Sequence, residues 1–327
     1  MSKIGIIGFG KVGRIRAKSI EKYNGNIIGV YDTDINSDEC EYTLYSDSTS
    51  LIDDSDIIFI CTPNKYNYPL TLESLNKNKH VFCEKPPAFN AKQILEIRIA
   101  ESKSSSKLMY GFNHRHHESI TDMKNIIDNG DYGKILWMRG RYGKSVDENF
   151  FDGWRSNKEL VGGGILLDQG IHMLDLLIYF GGYFDKVKSR VSNQYWKLDG
   201  IEDNVFAILE NSSNGVVAQL HSTMTQWRHL FSLEIFLEEG YITLNGLKTS
   251  SGTYGEEELS VLRKNPNKTG EAISEVNKVY KVDKSWDYEV SHFLNSIVNK
   301  NSINYGTSND ALNVMTIIDN IYENGKD

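Results

Sequence analysis

A short apolar run, KIGIIG at residues 3–8, leads straight into GFGKVG and then a helical stretch over 14–23. Gly8, Gly10 and Gly13 therefore form G-x-G-x-x-G directly after a strand and at the opening of a helix, the context that gives the pattern meaning. The first glycine permits a tight turn, the second lets backbone approach a pyrophosphate, and the third lets helix and strand pack closely. The intervening Phe9, Lys11 and Val12 place their backbone against the same anion, which the helix N-terminus attracts. A second strand over 26–31 ends in Asp32, about twenty residues after the glycines, where an acceptor for a ribose hydroxyl is expected. Thr33 and Asp34 follow with no arginine nearby, and a second acid would repel a 2′-phosphate. The reading is NAD in preference to NADP.

The next segments keep the same alternation. Residues 33–56 are acidic and read as irregular; DIIFIC at 56–61 is a buried-type strand that ends in Thr62, Pro63 and Asn64. A helix near 67–78, a strand at 80–83, a helix near 90–102 and a strand at 107–112 follow. Glu84 and Lys85 come after the fourth strand, and Asn113 and Arg115 after the fifth. Strands alternating with helices predict a parallel sheet to about residue 118, with ligands beyond the strands' carboxyl ends. Past 118 the period changes. A helix at 119–129, a strand at 135–142 and a polar loop at 143–158 lead to a central apolar helix. Runs at 187–196, 203–211, 215–226, 231–238 and 240–246, joined by short turns, predict a mostly antiparallel sheet. Residues 247–275 read as a polar excursion, followed by a strand near 276–282 and helices near 286–299 and 308–323. The division expected is 1–118 and 119–327, with the last helix packing back on the first part.

The central stretch, GGGILLDQGIHMLDLLIYF at 162–180, is apolar nearly all round. At about 100° per residue Asp168, His172, Asp175 and Tyr179 fall in a sector roughly 60° wide. Buried charges are costly unless paired or used, so this stripe faces a cavity or forms a thin solvent-facing seam. The triple glycine would let backbone and ligand approach closely before the helix begins.

Composition narrows the function classes. A net charge of −8 over 327 residues, with no dense basic patch, argues against nucleic-acid and acidic-membrane partners. Cys40, Cys61 and Cys83 read as reduced thiols of a cytoplasmic protein and form no zinc set. The chain enters its first strand at once, without a secretory signal, and its most apolar stretch is interrupted by Asp168, His172 and Asp175.

The ordered set GFGKVG, Asp32, CTPN at 61–64, CEKP at 83–86 and GGGILLDQGIHMLDL at 162–176 resembles the glucose–fructose oxidoreductase/inositol dehydrogenase/MocA family over nearly the whole chain. The resemblance implies an N-terminal Rossmann domain and a C-terminal α/β domain with a large open, mostly antiparallel sheet. It also implies a nicotinamide cofactor, a sugar, cyclitol or related polyol as substrate, and a homodimer or homotetramer through the sheet. By position, Lys85 would lie next to the nicotinamide and Glu84 near its ribose. Asp168 and His172 would face the substrate, while Asn113 and Arg115 would line the same cleft. Where many members have a histidine shortly after the TPN segment, this chain has Lys65, Tyr66 and Asn67.

Oxidising a secondary alcohol needs a base near neutral pKa and a group that polarises the oxygen. His172 suits the base and Lys85 the cation, with Asp168 orienting or balancing the ring; in some relatives the lysine takes the acid–base role itself. The expected function is an NAD-dependent oxidoreductase of a sugar's secondary alcohol, nucleotide sugars included. Alternatives of other kinds are a cyclitol dehydrogenase, an NAD-using glycoside hydrolase and a silent NAD sensor. Trp154 and Arg155 before the central helix, and Trp227, Arg228 and His229, could contact a charged substrate or finish an interface.

Overall fold

The computed structural model describes residues 2–35, 40–249 and 254–325. Two compact units emerge. The first comprises Met1–Asn113, Glu159–Gly162 and Ser285–Met315; the second comprises His114–Lys158, Gly163–Lys284 and Thr316–Asp327. The units are thus interleaved, not divided by one cut at residue 118.

In the first unit β1 (Lys3–Ile7), α1 (Lys11–Lys22), β2 (Asn26–Tyr31), α2 (Ser48–Asp54), β3 (Ile57–Ile60), α3 (Asn64–Asn76), β4 (His80–Cys83), α4 (Ala91–Lys103) and β5 (Leu108–Tyr110) follow in order. All five strands are parallel, in the order β2-β1-β3-β4-β5. The winding direction reverses between β1 and β3, so a crevice opens there beyond the strands' carboxyl ends. The strands read as continuous apolar runs because both faces are covered. Phe59 and Phe82 stack at 5.0 Å, and Phe293, which arrives from the far end of the chain, meets them at 5.7 and 5.6 Å. The acidic stretch expected to be irregular contains α2, because Asp47 accepts from Ser50 N at 2.8 Å and caps it. Residues 36–39 of that stretch lie outside the described residues.

In the second unit α5 (Glu118–Asp128) and β6 (Ile135–Ser145) precede the central helical segment. That segment runs from a short α6 (Lys158–Val161), which belongs mostly to the first unit, through a bend to α7 (Ile171–Gly181). Then come β7 (Lys186–Ser192), β8 (Asn204–Glu210), β9 (Val217–Thr223), β10 (Thr225–Leu237), β11 (Gly240–Asn245), β12 (Glu257–Lys264) and β13 (Ala272–Tyr280). The sheet order is β13-β12-β11-β10-β6-β9-β8-β7. Only β6 and β9 run parallel; every other neighbouring pair is antiparallel. The polar excursion expected over 247–275 instead contains β12 and the start of β13, paired strands whose outer positions carry charges. Within it, residues 250–253 lie outside the described residues. Helices α8 (Ser285–Val298) and α9 (Ser308–Asn324) close the chain, with α8 in the first unit bonded to α1 through Ser19 Oγ and Asp287 Oδ1 at 2.8 Å.

Helix α7 lies on the second unit's sheet. Gly140 of β6 admits the Met173 side chain where a Cβ would clash at 2.5 Å. The stretch Lys158–Gly181 is long and apolar enough to cross a membrane by composition alone, yet its most apolar window is 83 % buried within the protein.

Candidate active site

The glycine loop is built as a cradle. Gly8 needs its left-handed φ of +86°, and a Cβ there would lie 2.6 Å from Cys61 O; a Cβ on Gly13 would lie 2.1 Å from Gly8 O. These two glycines serve the protein's own packing. Gly10 differs, because a Cβ there would meet nothing within 4 Å. The open space lies over the first turn of α1, whose N–H groups have no helical acceptors. Asp32 ties the loop down: Oδ2 accepts from Phe9 N at 2.5 Å and Oδ1 from Asp34 N at 2.9 Å. A carboxylate has about four acceptor positions, so ribose hydroxyls can still be received. Beside it opens a cavity of about 500 Å³ whose wall includes Gly8, Asp32, Asp34, Thr62, Pro63 and Glu73. The wall's charged residues are all acids, and these residues fit an adenosine ribose without a 2′-phosphate.

Glu84 directly follows β4 and is paired within the first unit. Its Oε1 lies 2.6 Å from Arg16 Nη2 and accepts from Arg16 Nε at 2.8 Å, and the Glu289 carboxylate of α8 meets the same Nη2 at 2.6 Å. Arg16 is fully buried, with its guanidinium 4.4 Å from the ring centroids of both Phe82 and Trp286. Burial alone would lower the guanidinium's pKa; the two carboxylates outweigh it and raise it. Glu84 therefore anchors the strand end to α1. Asn64 Nδ2 donates to Val161 O at 2.9 Å, and Asn113 Nδ2 to Ser285 Oγ at 3.0 Å. Each of these loop residues is fixed by its own unit.

In the second unit the central helix is not uniform. Leu166–Gly170 form one π-helical turn before α7. The extra residue rotates Asp168 relative to His172, so a single 100° progression does not describe the stripe. Nor do all three glycines before the helix open onto a ligand. A Cβ on Gly163 would meet Tyr322 Oη at 2.4 Å, and one on Gly164 would meet Glu202 O at 2.0 Å. The buried Glu202 carboxylate accepts from Gly164 N at 2.6 Å, Leu166 N at 2.9 Å and Tyr322 Oη at 3.0 Å. Burial raises its pKa against these donors. This acid caps the helix from a distant strand connection, which nothing in the local sequence signals.

The stripe then divides by role. Asp175 is fully buried in a bidentate pair with Arg115, at 2.6 and 2.8 Å, and the Arg115 guanidinium covers the Tyr179 ring at 4.8 Å. Arg115 is thus engaged by Asp175. Asp168 accepts from Lys144 Nζ of β6 at 3.0 Å, and Arg155 Nε lies 3.9 Å from its other oxygen. Trp154 supports that arginine with its ring 4.5 Å away. The His172 ring stacks on His114 with centroids 3.9 Å apart and planes 13° apart, and His114 Nε2 meets Tyr142 Oη at 3.1 Å. Burial pushes the Tyr142 hydroxyl well above its ordinary pKa, and burial followed by Lys144 lowers that of His229. Lys144, His114 and Tyr142 were not found from sequence. The one signal was the position of His114 just beyond a parallel strand's carboxyl end. Lys144 and Tyr142 are spaced by two on β6, so they share a face only once β6 is known to run to residue 145. Trp227 remains 63 % exposed.

Two family models match. Residues 2–112 match the oxidoreductase family with an NAD-binding Rossmann fold, and residues 120–243 match the GFO/IDH/MocA C-terminal domain. The chain belongs to the GFO/IDH/MocA family. Residues 2–112, which make up most of the first unit, are this family's NAD-binding Rossmann domain. Among curated relatives, the D-glucoside 3-dehydrogenase of Escherichia coli K12 is 32% identical over 179 residues, 50% of each chain. The glucose-6-phosphate 3-dehydrogenase of Bacillus subtilis 168 is 31% identical over 191 residues, 55% of this chain and 53% of that one. The chain matches about half the length of these two relatives. A levoglucosan dehydrogenase solved with NADH and levoglucosan superposes with a TM-score of 0.86 and covers 99% of this chain and 97% of its own. At 22% identity that likeness is one of fold.

Proposed function

We propose that this GFO/IDH/MocA protein is an NAD-dependent dehydrogenase that oxidises a secondary ring hydroxyl of a hexose-type sugar, C3 being favoured. Two relatives named as 3-dehydrogenases of glucose derivatives support the position. The observation that carries the reading is the held state of the helix residues: Asp168 by Lys144 at 3.0 Å and His172 by the His114 ring at 3.9 Å. Ionisable groups fixed this way on an otherwise apolar helix suit chemistry better than packing. When bound, NAD⁺ supplies the two-electron acceptor. In the second unit His172 accepts the hydroxyl proton and Asp168 balances the charge that it gains; in the first unit Lys85 is the cation assigned to polarising a hydroxyl oxygen. The test is NADH formation with methyl glucoside, glucose 6-phosphate, levoglucosan, a nucleotide sugar and myo-inositol, beside a chromogenic glucoside. Net NADH from a hexose substrate is expected. Aglycone release without net NADH would favour hydrolysis, and turnover of myo-inositol alone would favour the cyclitol reading.

Cofactor choice has its own expected result. Asp32→Ala removes the carboxylate acceptor and should weaken NADH binding about 10–100-fold, the scale of one hydrogen bond to a charged group. NADPH binding should suffer less. Tighter binding of NADPH than NADH by the unmodified protein would sink the assignment.

Assembly through the open sheet is likewise proposed. Along β8, Val205, Ala207 and Leu209 are buried while Phe206 and Ile208 are 43 % and 55 % exposed, so both faces are apolar. Light scattering should give a dimer or tetramer, and Ile208→Glu should lower the mass. A monomer at micromolar concentration would argue against it.

A further inference from the structure

Lys85 lies in a loop, between the end of β4 and Pro86, so neighbouring groups must set its backbone. One side chain spans it. Asn67 on α3 is fully buried, and its Nδ2 donates to Glu84 O at 3.2 Å and to Pro86 O at 2.8 Å, the carbonyls on either side of Lys85. Its Oδ1 accepts from Thr62 Oγ1 at 3.0 Å. The orientation of the amide is forced, because carbonyls only accept and only the NH₂ end can face two of them. A side chain with two donors and an acceptor thus joins the ends of β3 and β4 to α3. On the loop's other flank, the Glu84 carboxylate is locked to Arg16.

We propose that Asn67 is a positioning residue for Lys85. It fixes the peptide group that precedes the lysine and the carbonyl of the proline that follows it, so that a long flexible side chain starts from a Cα held on both sides. The role rests on the reading of Lys85 as the polarising cation. A misplacement of about 1 Å can cost on the order of 10²-fold in rate, so the clamp has a kinetic consequence beyond stability. Asn67→Asp would keep the shape while setting a carboxylate against two carbonyl oxygens. Asn67→His would keep one ring N–H donor.

The test needs no ligand in its first arm. The ligand-free protein is acetylated over a range of pH, and labelling at Lys85 is followed by peptide mass spectrometry, with exposed Lys65 and Lys92 as internal references. In Asn67→Ala the Lys85 labelling rate should change by at least ~5-fold, the scale of one lost buried hydrogen bond. The references should stay unchanged. In the second arm, turnover at saturating sugar should fall ~10-fold or more in Asn67→Ala and Asn67→Asp, with partial recovery in Asn67→His. NADH affinity, measured by fluorescence, should move less than ~3-fold. Unchanged Lys85 labelling, or an equal change at all three lysines, would overturn the clamp whatever Lys85 does. Undiminished turnover in Lys85→Ala, with the labelling response intact, would overturn the mechanistic reading of Lys85 instead.

Discussion

His172→Ala should lower turnover at saturating sugar by at least ~10²-fold, the usual scale for an acid–base group, while NADH affinity stays close to that of the native protein. The asymmetry follows from placement. His172 belongs to α7 of the second unit and is held there by the His114 ring at 3.9 Å, whereas the glycine cradle and Asp32 belong to the first. Lys85→Ala should produce a loss of the same order. It must be read at saturation, because removing a cation at a strand's carboxyl end also weakens binding. The Asp168 carboxylate, at 3.0 Å from Lys144, gives a useful contrast. Asp168→Asn keeps a hydrogen-bond acceptor but loses the charge, so its turnover should fall less than that of His172→Ala. Near-normal turnover in His172→Ala with a true substrate would remove it from the mechanism and leave Lys85 as the acid–base group.

The largest effect on stability is expected at Arg16. One fully buried guanidinium pairs with two carboxylates, Glu84 and Glu289, each 2.6 Å from its Nη2. Arg16→Met fills most of the volume but leaves both acids buried without a cation. Removing one partner of a buried ion pair costs about 3–5 kcal/mol, which corresponds to roughly 6–20 °C in Tm. Arg16→Lys should also destabilise, since a single ammonium cannot reproduce a planar fork facing two carboxylates between two aromatic rings. Calorimetry of the full chain measures this directly. A variant that melts within ~2 °C of the native protein would show that the triad contributes nothing beyond its packing. A second consequence is functional, because Glu84 adjoins Lys85: an Arg16 variant that survives folding should lose turnover as well as stability.

What could be read from the chain alone was local or periodic. KIGIIG followed by GFGKVG, then a second strand ending in Asp32, specifies a parallel α/β start because steric and dipolar needs act within a few residues. The NAD reading followed from one acid and the absence of a neighbouring arginine, and the structure puts that acid against the loop it was expected to serve, at 2.5 Å from Phe9 N. The ordered motifs were enough to place the chain in its family. Strand β12 and the start of β13 escaped because a strand with charged outer positions carries little hydrophobic signal, and its identity comes from pairing with its neighbours.

How each of these charged residues is paired was decided by tertiary contacts. Glu84, Arg115 and Asp175 look as functional in sequence as Asp168 and His172. Long-range pairing buries the first three, through Arg16 at 68 residues' separation and through the Arg115–Asp175 fork at 60. The same holds for the start of the central helix, where a π-helical turn and the remote Glu202 carboxylate set the direction in which Asp168 points. A helical wheel knows only the angle per residue. The free energy of a buried carboxylate depends on which cation or N–H group the fold brings to it, and that partner is a property of the assembled structure.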